Sequence, residues 1–342
     1  MDMPNLDWSK LPFGYIPTDY NTRCLYRNGG WGEVEFTSSP YITLHMGATA
    51  LHYGQEVFEG MKAFRGADGK IRLFRWEDNW ERICFSSEGI MMPAIPKEKF
   101  KKAIFDAIKL NERFIPPYGT GASLYVRPLI IGSGVKVGVS PADEYLLLVF
   151  VTPVGPYFPG GFEGVNIQLV RDVDRAAPLG TGRYKVGGNY AASLSSLIRA
   201  SNEGYKTVLY LDAKEKKYID ECGPANFFGI KNNTYITPDS TSILRSITNL
   251  SICTLAKDIG LKVERRQVPV EELSEFEEAG ECGTAAIITP IKSIQDRDTG
   301  KIYTFGDGTG EPGPISTKLY KLLQGIQYGT EPDKFGWTEI VE

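Results

Sequence analysis

The chain has 342 residues, 42% hydrophobic and 23% charged, a composition that excludes a disordered or fibrous protein. Lysine and arginine number 38 against 42 aspartates and glutamates, a net charge of -4 that recommends neither a nucleic-acid backbone nor an acidic tail. At roughly 100–200 residues per domain, two domains are expected. The longest apolar run, Tyr145–Val151, is far short of the ~20 residues that span a bilayer. No basic, then apolar, leader follows Met1, and five cysteines without a Cys-x-x-Cys suggest neither a disulfide framework nor a zinc site. With histidine only at 45 and 52, a metal cluster and a Ser/His/Asp triad are poor readings. The expectation is a reduced, cytoplasmic protein with no metal, nucleic-acid or membrane partner.

Residues 1–47 read as an irregular lead-in ending in a strand around Gly32–Phe36. Ile71–Phe74 reads as a strand, and Trp76 to about Gly89 has helical spacing. Lys97–Asn111 is a clearer helix, with Phe100, Ile104, Ala107 and Ile108 on one face. Ser123–Ile131 and Tyr145–Val151 read as strands. Proline and glycine then concentrate over 153–161, the best linker candidate. Beyond it, strands are expected at Val165–Val170, Thr207–Leu211, Phe227–Ile230, Thr234–Ile236, Lys262–Arg266 and Ala285–Thr289. Helices are expected at Tyr190–Asn202, Thr248–Ile259 and near Glu271–Glu278. This is a mixed α/β chain: a domain over 1–153, a linker over 154–164 and a second domain over 165–342.

Four segments carry candidate chemistry. In Gly180-Thr-Gly-Arg-Tyr-Lys-Val-Gly-Gly-Asn-Tyr190 a single lysine, Lys185, sits among glycines just before a helix. A tight turn is one reading; a phosphate loop lacks the required Gly-x-x-x-x-Gly-Lys order, and a Schiff-base lysine is the third. Tyr218-Ile-Asp-Glu-Cys-Gly-Pro-Ala-Asn-Phe-Phe228 places Glu221 before a turn and a buried-looking strand. Ile243-Leu-Arg-Ser-Ile-Thr-Asn249 opens a helix, either as a simple cap or as a phosphate seat. Gly283-Thr-Ala-Ala286 offers small residues before a strand. In the strand at 123–131, Tyr125 and Arg127 are two apart and so share a face.

Together these residues resemble the branched-chain amino-acid aminotransferases, pyridoxal-phosphate enzymes of fold type IV. The resemblance covers nearly the whole chain. It is carried by His52-Tyr-Gly-Gln-Glu-Val-Phe-Glu-Gly-Met-Lys-Ala-Phe-Arg65, Leu124-Tyr-Val-Arg-Pro128, Tyr157-Phe-Pro-Gly-Gly161 and Tyr184-Lys-Val-Gly-Gly-Asn-Tyr190. Glu221, Asn226, Gly283-Thr-Ala285 and Ile326-Gln-Tyr-Gly329 come after them in order. The fold it implies is a small N-terminal open α/β sandwich and a larger C-terminal barrel-like domain. The reaction it implies is reversible transamination of leucine, isoleucine or valine with 2-oxoglutarate, using pyridoxal 5′-phosphate.

By the same resemblance, Lys185 would form an imine with the cofactor and shuttle the proton. Glu221 would keep the pyridine nitrogen protonated, and Tyr190 would bond the ring oxygen. Arg82, with Ser246, Ile247 and Thr248, would hold the phosphate. Tyr53, Phe58, Tyr125, Arg127 and Tyr157 would surround the substrate side chain, and the N–H groups of Thr284 and Ala285 would take its α-carboxylate, Thr284 also touching the cofactor. The loop with Val137 and Val139 would reach a partner subunit's site, implying a homodimer. The chain departs from the pattern at Pro224, at Arg245-Ser246 and at Ala286-Ile-Ile-Thr289, where mammalian relatives carry Cys-x-x-Cys. D-amino-acid aminotransferases and aminodeoxychorismate lyases of the same fold are the nearer alternatives, a non-catalytic cofactor-binding protein the farther one.

Overall fold

The structure is a computed structural model that describes residues 3–157 and 161–342. The chain divides into two compact units. One comprises Met1–Pro159, Tyr184–Gly187 and Gly325–Glu342; the other comprises Gly160–Arg183 and Gly188–Gln324. The expectation of two consecutive halves makes no allowance for these returns of the chain. The linker expected over 154–164 lies outside the described residues at 158–160.

The first unit is built on an antiparallel sheet. Its strands are β1 (Asn21–Arg27), β2 (Gly30–Thr37), β3 (Glu56–Phe58), β4 (Met61–Arg65), β5 (Ile71–Phe74), β6 (Ser123–Gly132), β7 (Tyr145–Val154) and β17 (Thr338–Ile340). They run in the order β17-β5-β4-β6-β7-β1-β2, with β3 also on β6. A short helix α1 (Thr49–Tyr53) precedes β3, and α2 (Trp76–Gly89) and α3 (Lys97–Leu110) come after β5. Ile83 of α2 and Phe100, Ile104 and Ile108 of α3 share one core with Leu124, Val126, Leu147 and Val149 of the sheet. The lead-in is less irregular than expected, because β1 and β2 form a hairpin. Its turn is Asn28-Gly29, both at positive φ (55° and 81°), the backbone that a two-residue hairpin requires.

The sheet is irregular where β3 gives way to β4. Phe58 pairs with Leu129 and Met61 with Val126, so Glu59-Gly60 faces Arg127-Pro128. Pro128 has no N–H to give, and the ladder is reduced there to Glu59 N–H donating to Pro128 C=O at 2.8 Å. β3 and β4 are thus one line along β6, broken at Glu59.

The second unit holds β8 (Val165–Val170), β9 (Val208–Leu211), β10 (Ile219–Cys222), β11 (Asn226–Lys231), β12 (Thr234–Pro238), β13 (Lys262–Arg266), β14 (Glu278–Gly283), β15 (Ile287–Asp296) and β16 (Ile302–Thr304). Helix α4 (Gly187–Asn202) lies between β8 and β9 in sequence, and α5 (Ile247–Asp258) between β12 and β13. Both strand pairs are parallel, as such crossovers demand. The sheet runs β10-β9-β8-β15-β14-β11-β12-β13, with β16 on β15. Its end strand β10 returns against β11 and β12, which curls the sheet into the barrel-like form expected. Helix α6 (Pro314–Tyr328) comes next, and no sequence signal assigned it. Two expectations fail here. The helix near 271–278 is a 3-10 turn over Val270–Glu275 followed by β14, and 284–286 is a turn, so β15 starts only at Ile287. Among the described residues no helix is long and apolar enough to cross a membrane.

The core of this unit contains an anomaly at Glu281 in β14. It is wholly buried, and neither carboxylate oxygen has a hydrogen-bond partner; the weak donor Cys222 lies beside it. Burial pushes its carboxyl from 4.5 up to about 7. Between those two values the unfolded chain has shed a proton that the folded chain keeps, so stability present below pH 4.5 drains away as pH rises to about 7. The full effect is on the order of 3 kcal/mol. Glu281→Gln should therefore flatten the fall in melting temperature between pH 5 and 8; a wild-type slope in the variant would show the carboxyl does not titrate there.

Candidate active site

Lys185 leads the first unit's group. Its own N–H donates to Ser86 Oγ of α2 at 2.9 Å, and its carbonyl accepts from Phe58 N–H of β3 at 3.1 Å. Two residues on, Gly187 N–H donates to Glu56 Oε1 at 2.6 Å. The Lys185 ammonium lies 4.6 Å from the Phe58 ring centroid, and the Arg127 guanidinium lies 4.8 Å from the same centroid. One aromatic ring therefore bears on both cations.

Around that ring stand the other expected pocket residues of this unit. Arg127 donates to Tyr125 Oη at 3.0 Å, its Nε is buried without a partner, and it forms no salt bridge among the described residues. Tyr125 can lie there only because residue 60 is glycine: a Cβ at that position would overlap its hydroxyl. Phe13 contacts the Tyr125 ring at 5.4 Å and the Tyr157 ring at 5.1 Å, both edge-on. Tyr53 instead gives its hydroxyl to Val137 C=O, and Val137 and Val139 stand 90% and 88% exposed.

Arg82 projects from α2 onto Glu59, at the break in the β3–β4 line. Its Nε and Nη2 each reach a carboxylate oxygen at 2.7 Å, a bidentate pair. Asn79, one helical turn earlier, adds a donor at 2.7 Å. Glu59 has no exposure to water, so the guanidinium plane is fixed by a buried anchor.

The second unit's group centres on Glu221, at the end of β10 and 3% exposed. Arg175 lies 2.6 Å away, Asn226 Nδ2 donates at 2.7 Å and Leu244 N–H at 3.1 Å. Arg175 also donates to the carbonyls of Gly182 and Ser242, tying it to the loop before Lys185. Burial pushes the Glu221 carboxyl above its ordinary value, against the pull of Arg175. From Asn226 a chain of side chains leads on: Asn249 donates to it at 3.3 Å, and Asn249 N–H donates to Ser246 Oγ at 3.2 Å. Ser246 caps α5, whose first residues Ile247 and Thr248 present N–H groups with no acceptor within the helix. Glu221 and a helix N-terminus thus belong to one network.

Thr284 and Ala285 occupy the β14–β15 turn, two residues beyond the Asn226–Cys282 pair, and so at the Glu221 end of the sheet. The turn ends on Ile287 at φ 63°, a β-branched residue in the left-handed region. Such a conformation costs about 1–3 kcal/mol and persists only where its surroundings impose it. Tyr190 lies in the first turn of α4, just after Asn189. That asparagine exchanges two hydrogen bonds with Thr181, at 2.7 and 2.8 Å, closing the glycine-rich loop on the helix.

Sequence reasoning missed Phe13, Glu56, Glu59, Asn79, Ser86 and Arg175. Glu56 and Glu59 were visible inside the 52–65 segment, but their partners come from 187 and 82, which no local pattern announces. Arg175 is an arginine in a loop until Glu221 is seen beside it.

Residues 56–294 match the amino-transferase class IV family. The chain is 47% identical to a branched-chain-amino-acid aminotransferase of Helicobacter pylori, over 98% of each chain. Its structure is similar to that of the Escherichia coli branched-chain amino acid aminotransferase, with TM-score 0.80 and 29% identity over 95% of this chain and all of that one. It is also similar to the Thermobaculum terrenum enzyme solved in its PLP form, with TM-score 0.79 and 26% identity over 95% and 99% of the two chains.

The Arg175–Glu221 pair is sheltered on both sides. Removing one partner of such a pair costs about 3–5 kcal/mol, because the other is left buried and charged. Arg175→Met should lower folding stability by that amount in denaturant titrations, and Arg175→Met with Glu221→Gln should recover part of it. A double variant no more stable than Arg175→Met would show that the charge on Glu221 is not what destabilises the single one.

Proposed function

Because this chain belongs to the class IV aminotransferases, we propose from that membership what each of its two residue groups does. The protein is a branched-chain amino-acid aminotransferase that uses pyridoxal 5′-phosphate. We take 2-oxoglutarate and glutamate as its second substrate pair. When bound, the cofactor supplies an aldehyde for the amino group and a ring that accepts charge from the substrate carbon.

The residues suit that group. A phosphate dianion is matched by Arg82, held on Glu59, and by the N–H groups of Ile247 and Thr248 behind the Ser246 cap. A ring nitrogen that must stay protonated is matched by Glu221, a buried carboxylate that Arg175 helps keep ionised against the effect of burial. Tyr190 would give its hydroxyl to the ring oxygen, and Lys185 would anchor the cofactor and then move a proton from the substrate's Cα to the cofactor's C4′. Thr284 and Ala285 receive the α-carboxylate through backbone N–H groups, and Thr284 also touches the cofactor. The single observation that carries this reading is Glu221, buried in a cage of donors that hold its carboxylate in place.

Phe58, Tyr125 and Tyr157 give the substrate side chain an apolar wall. Arg127, resting on rings and bonded to one hydroxyl, can pair with a γ-carboxylate when glutamate arrives. Val137 and Val139 serve a partner subunit's site, and Tyr53, whose hydroxyl is given to Val137 C=O, belongs to the substrate pocket. Apolar side chains this exposed are what a second copy would cover, so sedimentation should find a dimer.

Lys185→Ala should abolish turnover in a folded protein; multiple turnovers near the wild-type rate without added amines would remove the lysine from its role. Arg127→Leu should lower kcat/KM for glutamate and 2-oxoglutarate by roughly ten- to hundred-fold, the equivalent of a charge-assisted hydrogen bond, with a smaller effect on leucine. Following the two half-reactions separately by cofactor absorbance distinguishes this from equal losses, which would make Arg127 a support of the pocket.

A further inference from the structure

We propose that Glu56 is a positioning residue for Lys185: its carboxylate, by accepting from Gly187 N–H, fixes the backbone from which the lysine amine reaches the cofactor. The inference rests on Lys185 being the cofactor's anchor and adds a residue to that role. Residues 184–187 are counted with the first unit although 183 and 188 are not, and the contacts within that unit say why. Tyr184 packs on Phe85 at 5.1 Å and against Gly89, where a Cβ would overlap its ring. Ser86 takes the N–H of Lys185 and Phe58 gives its N–H to the Lys185 carbonyl. Glu56 takes the N–H of Gly187. The first contacts locate residue 185; the last fixes the direction in which the chain leaves it.

Glu56 and Phe58 are two apart on β3 and share a face. The strand that supplies the ring beneath the Lys185 ammonium therefore also supplies the carboxylate that holds the next turn of chain. A carboxylate makes this a charge-assisted bond, stronger than a neutral acceptor would give. The fit is mutual, because a Cβ on residue 187 would overlap Glu56 Oε1. Glu56 is half-buried, and burial pushes its carboxyl up while the Arg127 charge pulls it down. A displacement of about 1 Å at a reacting group can cost about a hundred-fold in rate, so a contact on the lysine's own backbone is where precision counts.

The test uses the holoenzyme of Glu56→Ala, Glu56→Gln, Gly187→Ala and the double variant Glu56→Ala with Gly187→Ala. Glu56→Ala should lose about ten- to hundred-fold in kcat for leucine and glutamate alike, with KM little changed. Glu56→Gln, whose amide oxygen accepts the same N–H, should recover most of that loss. Gly187→Ala should behave like Glu56→Ala, and the double variant should be no worse than the worse single one, because both break one contact. Should Glu56→Ala fail to fold, Gly187→Ala displaces the same contact from the other side.

A second readout is independent of turnover. Apoenzyme is mixed with pyridoxal phosphate, so that the lysine amine and the aldehyde form a C=N bond and release water. Borohydride then delivers hydride to that carbon, and the resulting secondary amine is located by peptide mapping. Labelling of Lys185 should be about tenfold slower in Glu56→Ala and near normal in Glu56→Gln. Wild-type labelling and turnover in Glu56→Ala would overturn the proposal, as would multiplicative losses in the double variant or a Glu56→Gln as impaired as Glu56→Ala. Label on a different lysine would instead overturn the role of Lys185 itself.

Discussion

A carboxylate that stays ionised out of water must be met by donors, and two such carboxylates organise the residues that would hold the cofactor. Glu59 has no exposure and Glu221 has 3%. Each is answered by an arginine and an asparagine: Arg82 with Asn79, Arg175 with Asn226. An isolated buried charge costs several kcal/mol, so neither carboxylate is tolerable alone. The two pairs nevertheless do different things. Glu59 immobilises the Arg82 guanidinium, so its energy is spent on orientation. Glu221 is itself the group proposed to meet the ring nitrogen, and Arg175 keeps it ionisable where burial alone would favour the neutral acid.

Much of the fold was legible because its elements bury one face. Ile71–Phe74, Val165–Val170 and Lys262–Arg266 read directly as strands, and α3 read directly from Phe100, Ile104, Ala107 and Ile108. What failed was short or set by partners. β3 and β4 are pieces of one line that exist because β6 lies beside them, and β17 is a three-residue edge on β5. Ala285 and Ala286 looked like the start of a strand because they run into Ile287-Ile288, and only positive φ at Ile287 marks where β15 begins. The hairpin at Asn28-Gly29 was a signal that the aromatic and glycine-rich lead-in obscured.

The site divides along the same line. Lys185 and Glu221 stood out because their neighbours in sequence are glycines and a turn. Their supports did not, because Ser86, Glu56 and Arg175 act across separations of 99, 131 and 46 residues. A side chain whose role is to hold another residue's backbone has no preferred spacing from it. Only the fold supplies the meeting, and a single sequence records the two partners as unrelated polar residues.

The surroundings of Arg127 fit the proposal that one pocket serves two chemically opposed side chains. Arg82 is held in one place by a bidentate pair with a buried carboxylate. Arg127 is held differently, over the faces of Phe58 and Tyr125 and by one phenolic oxygen, with a buried Nε unpartnered. Cation–π contacts of this kind contribute about 0.5–2 kcal/mol and make no claim on the donors in the guanidinium plane. The same rings give an aliphatic side chain an apolar wall, so a leucine-sized group meets carbon while a γ-carboxylate meets N–H. The aromatic faces, with the Glu56 carboxylate near enough to feel its charge, help make the arginine tolerable without engaging it in an ion pair among the described residues, which is the state the proposed dual role requires.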